Sequence, residues 1–237
     1  MKYYAGLDVA MKETFICIVN EEGKRVFESK AITDPRPIYD ELSKSGFELE
    51  KIGLETGSLS TYLTNGLQKL GMNAICIDAR KMAAILSVKI NKTDKNDARG
   101  IADAMRTNHY KPVQIQNTQN NALRILLKSR STLIENRILL KNTVRGFLKT
   151  YGIRLGEVSH QNFSKTVNDL LSNLPNEAKI GIESLLKGYQ AIHEEIKKTD
   201  KRLNEICKQD KEARLLMTAP GVGMIVALTY KADLRDP

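Results

Sequence analysis

The chain has 237 residues, 41% of them hydrophobic and 27% charged, with a net charge of +9 and an isoelectric point near 9.4. That apolar share can build a core, so wholesale disorder is excluded, and no uninterrupted apolar stretch approaches the roughly 20 residues that cross a bilayer. The opening run from Met1 to Asp8 carries an acid inside its first apolar segment, which excludes a signal peptide and leads us to expect a soluble, cytoplasmic protein with no membrane partner.

Tyr3 to Val9, Thr14 to Val19 and Lys24 to Ile32 are runs rich in β-branched and aromatic residues, with a turn at Glu21-Glu22-Gly23 between the last two. They predict an antiparallel meander. Pro35 and Pro37 open a helix that Gly46 ends. Lys51 to Glu55 is a short buried strand, Leu59 to Leu70 an amphipathic helix stopped by Gly71, Met72 to Ile77 another strand, and Asp94 to Met105 a helix. Three strands followed by alternating helix and strand predict an α/β domain with a mixed sheet over residues 1–110.

From Thr118 the pattern changes to long helices. Leu126, Leu133, Leu140 and Phe147 recur every seven residues, with Leu127, Ile134 and Leu148 beside them, and Gly152 ends the run. A second helix, from about Asn176 to Gln209, has apolar positions at Ile182, Leu185, Tyr189, Ile192, Ile196, Thr199, Leu203 and Ile206, alternating steps of three and four. The two predict an antiparallel helical coiled-coil arm over residues 111–212 that also dimerises. In the tail, residues 213–237, Pro220-Gly221-Val222-Gly223 is either an ordinary helix-breaking turn or a turn whose Gly221 and Gly223 let backbone amides approach a phosphate. The chain reaches Pro237 where a further element is expected, so the tail reads as the start of an interrupted third domain.

Charge placement gives the first functional clue. Between Lys111 and Arg154 stand nine basic residues, Arg124, Lys128, Arg130, Arg137, Lys141, Arg145 and Lys149 among them, against the single acid Glu135. Arg137, Lys141, Arg145 and Lys149 recur every four, which predicts one charged stripe along the helix. Such a concentration points to a polyanion, nucleic acid before a membrane surface. Cys17, Cys76 and Cys207 form no C-x-x-C pair, and His109, His160 and His193 have no ligand spacing, so zinc, redox and histidine-based chemistry have no support.

Acids at strand ends are the sharpest chemical feature. Asp8 lies in Gly6-Leu7-Asp8-Val9, inside an otherwise apolar strand, where an unpaired carboxylate costs several kcal/mol. Glu55 closes the strand Ile52-Gly53-Leu54-Glu55, at the carboxyl end where open α/β sheets bind ligands. Asp94 and Asp97 lie three apart at a helix start. Each has a plainer reading: Asp94 and Asp97 as a capping pair, Glu55 as a loop acid. Together the four suit a hard divalent cation, Mg²⁺ or Mn²⁺, and metal-assisted phosphoryl transfer on nucleic acid.

Gly6-Leu7-Asp8-Val9-Ala10, Gly53-Leu54-Glu55-Thr56-Gly57 and Lys92-Thr93-Asp94-Lys95-Asn96-Asp97-Ala98 resemble the three motifs of the DEDD-type insertion-sequence transposases, the family that includes the pilin-gene-inverting recombinases and elements guided by a bridging RNA. Asn121 to Ile153 resembles the family's basic helical segment, and Leu216 to Gly223 the opening of its C-terminal domain. The resemblance implies a RuvC-like, ribonuclease-H-type fold, an acidic quartet of Asp8, Glu55, Asp94 and Asp97 holding Mg²⁺, and a prokaryotic, nucleoid-associated enzyme that cuts and rejoins DNA as a homodimer or tetramer. Lys92, Lys95 and Arg99 would neutralise phosphates near the metals, and Arg124, Lys128, Arg130, Arg137, Lys141, Arg145 and Lys149 would track a backbone of DNA or guide RNA. The family's C-terminal domain supplies a nucleophilic serine, and no serine of this chain matches it. A Holliday-junction nuclease, with the same fold and acids, and a non-catalytic nucleic-acid binder are the competing readings.

Overall fold

The computed structural model describes residues 1–80, 82, 94–115 and 118–233. They form two compact units, Met1–Gln116 and Asn117–Pro237.

The first unit is built on five strands: β1 (Tyr3–Val9), β2 (Glu13–Asn20), β3 (Arg25–Ile32), β4 (Leu49–Glu55) and β5 (Ala74–Ile77), in the order β3-β2-β1-β4-β5. β1, β2 and β3 pair antiparallel, and β1, β4 and β5 pair parallel. This is the ribonuclease-H-like arrangement that the motif resemblance implies. The β2–β3 turn is fixed by Asn20, whose side-chain oxygen accepts the amides of Glu22 and Lys24, and by Gly23 at φ 80°.

Strand alternation divides the sheet into two faces. Ala5, Leu7, Ile16, Ile18, Ile52 and Leu54 point to one, where helices α1 (Pro35–Lys44) and α2 (Ser60–Lys69) cover them with Ile38, Leu42, Leu63 and Leu67. α1 starts as proline predicts, with Pro35 in its first turn and the Asp34 carboxylate accepting the Arg36 amide. Cys17, Val19, Ile75 and Ile77 point to the other face, beneath helix α3 (Asp94–Thr107) and its buried Ala98, Ile101, Ala102 and Met105. The elements expected from Tyr3 to Met105 are all present within a residue or two of their predicted ends.

The second unit is helical: α4 (Thr118–Thr150), α5 (Phe163–Asn168), a 3₁₀ turn (Leu171–Asn173), α6 (Asn176–Gln209), α7 (Lys211–Leu216) and α8 (Met224–Asp233). α4 and α6 pack antiparallel. Arg130 reaches Asp200 and Arg137 reaches His193, so residue numbers across the pair sum to a constant. One core gathers Val144, Leu148, Phe163, Val167, Ile182, Leu186 and Tyr189 at one end, and another gathers Leu203, Cys207, Ala213, Ala227 and Leu228 at the other. Gly152, at φ 76°, ends α4 where expected.

The seams differ from their heptad expectation. Phe147 is 48% exposed, and Val144 and Leu148 are buried in its place. A straight α-helix drifts about 20° per heptad, so three repeats carry Phe147 out of a seam that begins at Leu126. On α6, Leu186 and Cys207 are buried while Leu185 and Ile206 are only partly covered.

Candidate functional site

β1 and β4 lie parallel with Gly6 opposite Gly53 and Leu7 opposite Leu54, which sets Asp8 level with Glu55 at the carboxyl ends of neighbouring strands. By alternation both acids stand on the α3 side of the sheet, two residues beyond the glycines on which α3 rests. A Cβ at Gly6 would lie 2.0 Å from the Ala98 carbonyl oxygen and 2.4 Å from the Ala102 nitrogen, and one at Gly53 would meet Ile101 and Met105 at 2.8 Å. The two glycines therefore let α3 sit directly on β1 and β4.

α3 runs against β1. Its start, at Ala98, packs near Phe15, the partner of Asp8, and its end, at Met105, packs near Tyr4. The first turn, with Asp94 exposed and Asp97 half-buried, thus comes to the end of the sheet where Asp8 and Glu55 emerge. A cleft of about 430 Å³ is lined by Asp8, Glu55, Met11, Thr56, Gly57, Ser58, Leu59 and their neighbours, with no lysine or arginine among its described lining. The Thr56 hydroxyl accepts the Ala79 amide, and the Ser60 hydroxyl donates to the Gly57 carbonyl, pinning the loop that carries Glu55 into α2.

The structure brings Asp8 and Glu55 into one cleft and puts Asp94 and Asp97 on the same face and end without joining them to that lining. Among the described residues no three carboxylate, cysteine or histidine side chains gather closely enough to hold a metal. As a donor set, the Asp8–Glu55 pair fits a hard cation: two carboxylates from rigid neighbouring strands. Lys95 and Arg99 are exposed on α3, Lys95 lining a separate groove with Phe15, Cys17 and Lys30. Lys92 lies outside the described residues.

Sequence reasoning passed over Asp78, which follows β5 at the same sheet end and whose carboxylate accepts the Arg80 amide. The rule that singled out Glu55, an acid closing a parallel strand, applies equally to Cys76-Ile77-Asp78. Cys17 is a core residue: burial first, and Glu28 next, push its thiol up to about 11, which keeps it protonated.

The basic residues of α4 are placed differently from the single surface stripe expected. A step of four turns each successive side chain by about 40°, so the row winds around the helix. Arg130, partly buried, is paired with Asp200. Arg137 Nη1 is 3.1 Å from His193 Nδ1, and its Nε is buried without a partner. Lys141 donates to the Val158 carbonyl at 2.8 Å and lies over the Phe163 ring, and Arg145 donates to the carbonyls of Leu155 and Gly156. These four hold the loop after α4 and the helix pair together. Arg124 is 3.4 Å from Asp233, and Lys128 and Lys149 are exposed. Gly221, at φ 82°, and Gly223 lie in an exposed turn between α7 and α8, with nothing within 4 Å of an added Cβ.

Residues 5–153 match the DEDD transposases of the IS110 type, a family described as transposase. The chain belongs to that family. It is 28% identical over 152 residues to the transposase for insertion sequence element IS1111A of Coxiella burnetii, covering 63% of this chain and 42% of that protein. To the transposase for insertion sequence element IS1328 of Yersinia enterocolitica it is 23% identical over 191 residues, covering 78% and 55%. This DEDD transposase chain therefore spans about half the length of these curated relatives. Among solved structures it is similar to RuvC of Thermus thermophilus, at 13% identity and a TM-score of 0.33 over 47% of this chain and 99% of that one. Among the described residues no helix is long and apolar enough to cross a membrane.

Proposed function

We propose that this chain is the DNA-cutting part of an insertion-sequence transposase, with Asp8 and Glu55 holding Mg²⁺ or Mn²⁺ and Asp94 and Asp97 supplying further oxygen donors from α3. One observation carries the reading: in a member of the DEDD family, Asp8 and Glu55 share a cleft at the carboxyl ends of two adjacent parallel strands. When bound, the cation would polarise the scissile phosphate and offset the charge that develops during strand cleavage and transfer. The chain's own residues position the site. β1 and β4 fix the two carboxylates, the hydrogen-bonded loop from Thr56 to Ser60 holds the cleft wall, and α3 carries the second acidic pair.

Nucleic-acid contact then falls to exposed cations: Lys95 and Arg99 on α3, with Lys92 by sequence alone, and Lys128 and Lys149 on α4. Gly221 and Gly223 offer backbone amides in an open turn. DNA is the partner this surface is assigned, and a guide RNA would use the same cations. The paired long helices serve as a coiled-coil arm, and the working form is a homodimer or tetramer.

The test is made on the whole chain. Mn²⁺ at millimolar concentration should raise the melting temperature of the native protein and leave Asp8→Asn and Glu55→Gln unmoved. Metal-dependent nicking of supercoiled DNA should fall by about a hundredfold or more in either variant. Nicking undiminished in Asp8→Asn, with an unchanged thermal response to Mn²⁺, would sink the assignment. Cleavage of a four-way junction in preference to plasmid would favour the junction-nuclease reading, and tight binding that ignores metal, without cleavage, the binder.

A further inference from the structure

Strand register lays four side chains in one row across the first unit. Lys30 of β3 pairs with Phe15 of β2, Phe15 pairs with Asp8 of β1, and Asp8 stands level with Glu55 of β4. Cross-strand partners point to the same face, so all four lie on the α3 side of the sheet. Neighbouring strands are about 4.8 Å apart, which puts Lys30 about 10 Å from Asp8 at the backbone. From the cleft to the sheet's edge the row therefore reads acid, acid, aromatic, cation.

Phe15 and Lys30 line a groove of about 260 Å³ with Cys17, Glu28, Lys95 and Ala98. β2 and β3 form one side of it, the first turn of α3 with Lys95 forms the other, and the half-buried Phe15 is its floor. The Lys30 ammonium lies 4.3 Å from the centre of the Phe15 ring, over its face, and 3.3 Å from the Glu13 carboxylate. The negative face of the ring holds a cation in place without neutralising it. Lys30 and Glu13 each leave half or more of the side chain open to solvent, so their ion pair is weak and readily exchanged for a phosphate. The acid in the lining, Glu28, is engaged by Arg25 at 2.6 Å. A lysine on an edge strand also serves to block pairing with another sheet. That role needs neither an aromatic ring beneath the ammonium nor a second lysine across a groove.

We infer that this groove holds the nucleic-acid strand beside the cleft, with Lys30 and Lys95 binding its phosphates and Phe15 positioning Lys30. The inference rests on the reading of the Asp8–Glu55 cleft as the cutting site, and adds the contact that guides the strand into it. One strand of a duplex advances about 3.4 Å per phosphate along its axis, so a row of about 10 Å reaches some three phosphates from the cut. Lysines meeting phosphates fix the position of a strand and carry no base identity, so the groove is indifferent to sequence.

Lys30→Gln, Lys30→Arg and Phe15→Leu in the full chain test it, with Lys24→Gln, in the turn before β3, as the control. The probe is a short fluorescent single-stranded DNA, its binding followed by anisotropy across a salt series. The salt slope should fall by about 0.7 in Lys30→Gln and recover in Lys30→Arg. Phe15→Leu keeps an apolar floor and loses the ring, so binding should weaken about two- to fivefold with most of the slope retained. In metal-dependent nicking, Lys30→Gln should raise KM for DNA and leave kcat within about twofold, because a contact made equally before and during cleavage is uniform binding. The melting temperature of both Lys30 variants should be native. Native binding and KM in Lys30→Gln, or a loss that Lys24→Gln matches, overturns the groove and leaves the cleft standing. A fall in kcat with KM unchanged overturns it too, since Lys30 would then act on the reacting phosphate. A native chain that nicks no DNA overturns the cleft instead, and a slope lowered by Lys30→Gln would still show the groove to be a nucleic-acid contact.

Discussion

Gly6 shows how one residue type serves both the fold and the site. With α3 seated on its backbone, a methyl group there would meet main-chain atoms of Ala98 and Ala102, which cannot swing aside. At Gly53 the obstructing atoms belong to the side chains of Ile101 and Met105, which can. Gly6→Ala should therefore cost about 3 kcal/mol or more, and Gly53→Ala about 1–2 kcal/mol. Chemical denaturation of the two variants checks the ranking, and equal losses would mean that α3 does not rest on β1 as described. Gly6→Ala should also lower metal-dependent nicking, because the helix it displaces carries Asp94 and Asp97. In the sequence these glycines were visible only as parts of two short motifs. Their spacing from Asp8 and Glu55 has a physical meaning that appears once α3 is in place: the glycine admits the helix, and two residues on, the next side chain on that face emerges at the helix's first turn.

At the scale of elements, the strands and helices of the first unit were legible because alternation, paired prolines and terminating glycines all agreed from Tyr3 to Met105. The helices of the second unit were legible in extent but less so in facing. Heptad spacing read on α4 implied that Phe147 lies in the seam and that a four-residue row of cations shares one surface. Both follow from treating a long helix as if it had 3.5 or 4 residues per turn. At 3.6, the row starts between the helices at Arg137 and reaches solvent only at Lys149. The consequence is a division of labour that single substitutions separate. Lys128→Ala and Lys149→Ala should each lower the salt dependence of nucleic-acid binding by about 0.7–0.9 in slope and leave stability within about 0.5 kcal/mol. Arg137→Ala should instead lose about 1–2 kcal/mol of stability, since it removes the guanidinium that bonds His193 between the helices. An Arg137→Ala protein of native stability with a reduced salt slope would restore the surface-stripe reading.

For the molecule as a whole, each unit has cores of its own, and the pH response should fall unequally on them. His160 and His193 belong to the second unit and flank Tyr189, whose hydroxyl lies 2.9 Å from His160 Nδ1. Burial holds both imidazoles below the usual histidine value of 6.5, and neighbouring cations add to it: Arg137 and Lys141 beside His160, Lys197 and Arg137 beside His193, with Glu194 opposing. Both rings therefore bind protons more weakly folded than unfolded. The unfolded chain takes up protons first as pH falls, so the stabilisation is complete above about pH 6.5 and shrinks as pH drops through that value. Asp210 acts in a lower window. Burial would raise its carboxyl, but hydrogen bonds from Lys231 and the Ala213 amide prevail and hold it below the usual range, so its contribution is lost only in stronger acid. Between pH 7 and 5 the melting temperature of the helical unit should fall, and the His160→Gln, His193→Gln double variant should flatten that fall. Thermal unfolding followed by helical signal at pH values from 5 to 8, in the native chain and in the double variant, measures it. A double variant that keeps the full pH dependence would assign the acid sensitivity to groups other than these two histidines.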